Sequence, residues 1–196
     1  MLSRMDAVRV SALRQSLAGT GWTERAGAFA TTLRGAVTRR SATGLLLVGT
    51  PRYEPWHLAA HLSDEAAYGG LPELAPTLLR HSVPAGAPGH LAYGLPRLAE
   101  ARAGATVLLV APGPADAPLL ERLDDARRAG AVLLALDDGD PELADLAHER
   151  LTVPGAAPEP FELVQHLVSS AASAAPRRSR LSRLAERLTA PPVLRW

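Results

Sequence analysis

The stretch ATVLLVAPGPADAPLLERLDDARRAGAVLLALDDGDPELADLAHERLTVP, residues 105–154, decides the fold. Thr106 to Ala111 is an apolar run with β-branched residues, short enough to be a strand buried on both faces. Pro112-Gly113-Pro114 stops it, and Asp116 is placed to cap a helix. Pro118 is tolerated in that helix's first turn, where a missing N–H has no intrahelical partner to lose. Leu119, Leu120, Leu123 and Ala126 make one apolar stripe, charged residues fill the rest, and Gly130 falls where a left-handed C-terminal turn is wanted. Val132 to Leu136 is a second buried strand. Asp140-Pro141 starts a short helix reaching His148, and Leu151 to Val153 is a third strand. Parallel strands need crossover connections of fixed hand, so the run predicts adjacent strands of one sheet.

Upstream, Gly44 to Gly49 repeats the buried-strand pattern and ends in Thr50-Pro51. A helix is expected from Pro55 to Ala67, ended by Gly69-Gly70. Thr77 to Val83 reads as the second strand in chain order, in competition with a helix over Pro72 to Arg80. Pro84 to Gly89 is a loop, and Leu91 to Ala103 has a helical pattern that Gly94 and Pro96 should kink or split. Two helices lead the chain, one from about Met5 to Leu17. Thr23 is placed to cap the other, which carries Ala26, Phe29, Ala30, Leu33 and Val37 on one side. Their apolar faces need a cover, either one end of the domain or a second copy. Downstream, Gly155 to Pro160 is a loop, and Phe161 to Ala172 is a helix with Phe161, Val164, Leu167 and Val168 inward.

The fold class expected is therefore α/β, a doubly wound parallel sheet in a three-layer sandwich. Residues 1–40 form the leading helices, 41–174 the α/β domain, and 175–196 an arginine-rich extension. With 196 residues the chain is long enough for a core without staples. It has no cysteine, so disulfides, thiolate chemistry and Cys-ligated metal are excluded. All 21 basic residues are arginine, and neither Lys nor Asn occurs, a skew expected of a GC-rich bacterial genome. The net charge of +1 supplies no global field for nucleic acid. Neither a signal peptide nor an apolar run of about 20 residues is visible, so the expectation is a cytoplasmic protein.

The order of elements, with a first strand ending in Gly49-Thr50, resembles the SIS (sugar isomerase) domain family over roughly Thr23 to Ala174. Gly44 to Thr50 looks like that family's first strand and Gly-x-Gly-type loop. Thr106 to Pro154 looks like its later half: a helix ending in Arg128-Ala129-Gly130-Ala131, an ELAD helix at 142–145, and a strand ending in Val153-Pro154. Gln165-His166 is similar to a Gln/His pattern that some phosphosugar isomerases carry on the closing helix. The resemblance implies a phosphorylated sugar as ligand. Sugar-phosphate-binding members use a Ser-x-Ser-Gly-x-Thr loop after the central strand, where hydroxyls and amides hold the phosphate. Here that place reads Ala111-Pro112-Gly113-Pro114-Ala115-Asp116: the hydroxyls are gone, two prolines delete N–H donors, and Asp116 brings a negative charge.

Several constellations carry chemistry, each beside a plainer reading. His57, His61 and Glu65 share one helix face at metal-competent spacing, yet Leu58, Leu62 and Ala66 form the neighbouring buried face, and an edge-of-core reading is preferred. Asp137-Asp138 at a strand end suits Mg²⁺, but Asp-Asp-Gly-Asp-Pro is also a turn followed by a helix cap, which accounts for each residue. Gly49, Thr50 and Arg52 lie where open α/β sheets bind ligands, with Gly113 and Asp116 on the loop after the central strand. His166 could act as a base, or pack beside Phe161 or Leu167. Arg177, Arg178, Arg180, Arg183 and Arg187 suit an acidic partner or an oligomer clasp better than nucleic acid or membrane, because no aromatic side chain is interleaved with them. The function expected is a non-catalytic, homodimeric SIS-like binding, regulatory or scaffolding module without a cofactor. The first alternative is a phosphosugar isomerase or sugar-phosphate sensor built on Thr50, Arg52 and His166, with Glu65 or Glu162 as acid. The second is an adaptor that docks on nucleic acid or membrane through the arginine tail.

Overall fold

The computed structural model describes residues 21–153 and 158–174. Helix α1 (Trp22–Thr38) leads into strand β1 (Gly44–Val48), helix α2 (Trp56–Tyr68) and strand β2 (Pro76–Leu79). Two 3-10 turns, Gly89–Leu91 and Leu95–Glu100, precede β3 (Ala105–Ala111). Then follow α3 (Ala117–Arg128), β4 (Val132–Asp137), α4 (Pro141–Leu146), β5 (Glu149–Thr152) and α5 (Pro158–Ser173). The strands form one sheet, every neighbouring pair parallel, in the order β2-β1-β3-β4-β5.

Alternation along the strands divides the core in two. Leu45, Leu47, Leu108, Val110, Leu134 and Leu136 point to the face covered by α1, α2 and α5. Val48, Val107, Leu109, Ala111 and Leu133 point to the face covered by α3, α4 and the Leu95–Glu100 turn. All seven residues of β3 are buried, as a central strand covered on both faces requires. The apolar side of α1 (Ala26, Phe29, Ala30, Leu33, Val37) is buried within this chain in the same cluster as the inward residues of α5.

Local chemistry explains most boundaries. At the end of α3 the Ala131 N–H donates to Ala126 O and the Gly130 N–H to Arg127 O, with Gly130 at φ 93°: a Schellman turn that needs glycine. Asp140 caps α4 by accepting the Glu142 N–H at 2.9 Å.

Some expectations are corrected. Helix α1 begins behind Gly21, at φ 73°, and not behind a Thr23 cap. Asp116 occupies the N-cap position of α3, but its carboxylate makes no capping bond. The second strand stops at Leu79, because Leu79 pairs with Val48 and β1 supplies no residue beyond it. The competing helix over Pro72 to Arg80 shrinks to one 3-10 turn, Pro72–Leu74. The 91–103 segment is divided by Gly94, in extended conformation, and contributes only the Leu95–Glu100 turn. The first leading helix and the arginine extension lie outside the described residues.

Leu108, fully buried at the centre of β3, tests this core. Leu108→Ala should lower unfolding free energy by about 2–5 kcal/mol, read as a lower urea midpoint at unchanged slope.

Candidate functional site

The order 2-1-3-4-5 places a topological switch between β1 and β3, and ligands of open α/β sheets bind outside the carboxyl ends of the strands at such a point. Gly49, Thr50 and Arg52 follow β1, and Gly113 and Asp116 follow β3, so the fold brings these five onto neighbouring loops. On the β1 side the chain's own loop covers the strand end. A Cβ on Gly49 would lie 1.8 Å from Tyr53 O and 2.7 Å from Pro55 Cδ, so only glycine fits. Thr50 is 3% exposed and bridges across a tight turn to Tyr53, leaving Arg52 exposed on that turn.

On the β3 side the donors are few. Pro112 and Pro114 have no N–H, and the Ala115 N–H donates to Asp140 Oδ2 at 3.1 Å. Gly113 faces open space, whereas Asp116 Oδ1 is buried without a hydrogen-bond partner among the described residues.

Beside β1, the end of β2 is more densely polar. Arg80 Nε donates to both Glu54 oxygens at 3.3 and 3.2 Å, and its guanidinium stacks over Trp56 at 4.9 Å. Trp56 Nε1 donates to the same Glu54 at 2.6 Å, and His81 Nε2 lies 2.9 Å from Gly49 O. Beyond them opens a cleft of about 540 Å³ lined by Arg80, His81, Tyr93, Arg97, Glu100 and Arg122 among others. Arg97 stacks over Tyr93 at 4.7 Å and pairs with Glu100 at 3.5 Å, while Arg122 is exposed and in no ion pair among the described residues.

At the far end of the sheet, Asp137 is fully buried and grips Arg150 of β5 with both oxygens, each at 2.8 Å. It also accepts the Gly139 N–H at 2.7 Å. The carboxylate raises the affinity of the Arg150 guanidinium for its proton, chiefly through the hydrogen bonds that Arg150 donates to Asp137. Asp137 is thus a structural anchor between two strands, which the turn reading of Asp137-Asp138 did not foresee.

A third polar assembly joins the loop after β1 to α2 and α5. Tyr53 Oη donates to Glu162 Oε1 at 2.8 Å and accepts from Gln165 Nε2 at 2.8 Å. Glu162 Oε2 lies 2.8 Å from His57 Nδ1. Burial, first, pushes the Tyr53 phenol up to about 12; the Gln165 hydrogen bond opposes this and Glu162 adds to it. The phenol therefore stays protonated and remains a donor. His166 packs against His57 and His61, with ring centroids 4.7 and 4.1 Å away, and sits in this assembly rather than with Gly113 and Asp116. Glu65 leaves the histidine face and accepts a hydrogen bond from Ser173.

Tyr53, Glu54, Arg80, His81 and the Asp137–Arg150 pair were missed as site-forming residues. The only available signal for most of them was their position, in the loop after β1, directly after β2 or at the end of β4; Arg150, inside β5, had none. The partner of each is set by register and loop path, which residue spacing does not encode.

The fold is shared with solved proteins of the sugar isomerase (SIS) type. The sugar isomerase domain of an RpiR transcription factor from Sphaerobacter thermophilus superposes with a TM-score of 0.53 and 19% identity, covering 80% of this chain and 82% of that one. A proposed phosphosugar isomerase from Silicibacter pomeroyi gives a TM-score of 0.53 at 16% identity, covering 90% of this chain and 50% of that one. This chain thus spans about half the length of the second. No family model matches the sequence, and neither does any curated protein.

Two measurements probe the anchors. Arg150→Ala strands a buried carboxylate and should cost about 3 kcal/mol in chemical denaturation, since breaking one partner of a buried pair is far costlier than losing a surface pair. Spectrophotometric titration should find one of the three tyrosines ionising near pH 12 instead of 10.0. A raised folded pKa favours the folded state while the phenol is protonated. The Tyr53 contribution should therefore be complete below pH 10 and disappear between about 10 and 12. Removing the nearby negative charge with Glu162→Gln should lower that midpoint.

Proposed function

We propose that the chain is a non-catalytic SIS-type module that binds a phosphorylated sugar and serves a binding, regulatory or scaffolding role as a homodimer in the cytoplasm. One observation carries the ligand part of this reading: three arginines, Arg80, Arg97 and Arg122, are among the residues that line a single open cleft at the carboxyl end of β2. Arginine offers bidentate donors suited to phosphate, Tyr93 offers an apolar face to a sugar ring, and a volume of about 540 Å³ suits a small ligand. Glu54 and Glu100 neutralise two of the three guanidiniums, and a dianion would compete for both.

In this reading the loop after β3 does not hold the phosphate. Its hydroxyls are replaced, the Ala115 N–H is already used by Asp140, and Asp116 repels an anion. The isomerase alternative, built on Thr50, Arg52 and His166 with Glu65 or Glu162, needs those groups to converge. Thr50 is buried, Arg52 stands on an exposed turn, and the other three engage Ser173, Tyr53 and histidines. The dimer rests on sequence alone, on the helical spacing of Val10, Leu13 and Leu17 outside the described residues, since the apolar side of α1 is already buried in its own chain. Contact of Arg177, Arg178, Arg180, Arg183 and Arg187 with an acidic partner rests on charge alone.

A thermal-shift series with phosphorylated and unphosphorylated sugars tests the reading, with light scattering on the same samples. A phosphosugar at 100 times its Kd should add about 2.7 kcal/mol of stability. That gain should vanish in Arg97→Ala and Arg122→Ala, and the mass should be that of two chains. No shift with any phosphosugar would overturn the ligand assignment, and aldose–ketose turnover of the bound sugar would overturn the non-catalytic one.

A further inference from the structure

We infer that His57, His61 and His166 form a binding site for one divalent transition-metal ion of the Zn²⁺ class, with Glu162 orienting a ligand and one coordination position open to solvent. His57 and His61 lie one turn apart on α2, with centroids 4.6 Å apart, and α5 packs alongside and brings His166 against both. One ligand nitrogen from each ring can be chosen so that all three lie within 4.8 Å of one another. The nitrogens of a tetrahedral Zn²⁺ site with bonds of 2.0–2.1 Å stand about 3.3 Å apart. For the nitrogens so chosen the remaining gap is at most about 1.5 Å; closing it with Nε2 as the His57 ligand takes side-chain rotations, and His57 has room for them because its side chain is 53% exposed.

Convergence of three imidazoles does not by itself distinguish a ligand set from stacked rings. The carboxylate behind His57 does. Metal-bound histidines characteristically donate their second ring nitrogen to a carboxylate, which fixes the tautomer and strengthens the ligating nitrogen. Glu162 holds His57 Nδ1 at 2.8 Å and so leaves Nε2 to ligate. Glu162 is itself held by Tyr53, and Tyr53 by Gln165, whose side chain is almost fully buried. The phenol that completes this chain keeps its proton over the whole physiological range. A merely space-filling histidine needs no such three-residue support.

The donor set also selects the ion. Three neutral imidazoles suit Zn²⁺, Co²⁺, Ni²⁺ or Cu²⁺ and discriminate against Mg²⁺ and Ca²⁺, which require oxygen ligands. Three protein ligands leave the fourth position to water, and the exposure of His57 gives the ion a path in. The site shares no residue with the arginine-lined cleft and does not depend on what that cleft binds. It would tie α2 to α5 and, through Tyr53, to the loop that covers Gly49.

The test uses the full chain stripped with a chelator, titrated with Zn²⁺ by calorimetry and with Co²⁺ by visible absorption. One ion per chain should bind, with the intense visible bands of four-coordinate Co²⁺ and a rise in the thermal midpoint. His57→Ala, His61→Ala and His166→Ala should each abolish saturable binding, and Glu162→Gln should weaken it 10–100-fold. His148→Gln lies outside the cluster and should leave metal binding unaltered. Metal-free melts identify any variant that does not fold. His57→Ala, at an exposed position, reads out the site even if the other two are lost to misfolding. Absence of saturable binding by the parent chain, or binding unaltered in His57→Ala, would overturn the assignment.

Discussion

Burial of β3 on both faces is the constraint from which the rest of the architecture follows. All seven of its residues are inaccessible, and the two sets of side chains feed two separate clusters. Neither face can be left to water, so α1, α2 and α5 must cover one and α3 and α4 the other. With β1 on one side and β4 on the other, every β3 residue from Ala105 to Val110 also has a strand neighbour across at least one ladder. The carboxyl ends of β1 and β3 then become adjacent, and any ligand-binding crevice is located before a polar side chain is considered.

That logic was legible in the sequence because it is written in period and punctuation. A short apolar run, a Pro-Gly-Pro stop, a proline in the first helical turn and a C-terminal glycine each have a local physical meaning, and together they specify β3, α3 and β4. What failed to show was long-range pairing. Asp137 and Arg150 have ordinary local explanations, a turn and a strand residue, until parallel pairing of β4 with β5 brings them together. His166 offered a candidate base or a packed helical histidine, and its convergence with His57 requires α2 and α5 to run side by side. Where two readings competed, a strand over 77–83 against a helix over 72–80, the local pattern leaned only weakly to the strand. The edge position of β2 decided for a strand of four residues.

The polar groups at the carboxyl edge are largely consumed by the protein itself. Asp140 takes the Ala115 amide and also caps α4, coupling the loops after β3 and β4. Glu54 ties Trp56 to Arg80, and His81 reaches Gly49 O, coupling the loops after β1 and β2. Each internal bond removes a donor or acceptor from the pool open to a ligand, and rigidity of the edge increases as that pool shrinks. Under the proposed reading, the fold keeps the crevice's geometry while its recognition chemistry moves outward, to guanidiniums that need no particular backbone conformation.

The same shift bears on α2 and α5. Two helices that pack through Leu58, Leu62, Val164 and Val168 need no polar residues between them, since apolar side chains at those positions already bury the seam. Placing three imidazoles and a carboxylate along its solvent edge adds no apolar burial, and side chains held in one arrangement lose rotamer freedom. Tyr53 adds a further cost, because its hydroxyl is partly withdrawn from water and is met by Glu162 and Gln165 among the described residues. A cluster that packing does not require, and in which a carboxylate engages one nitrogen of His57, is better explained by something it binds than by the fold it belongs to.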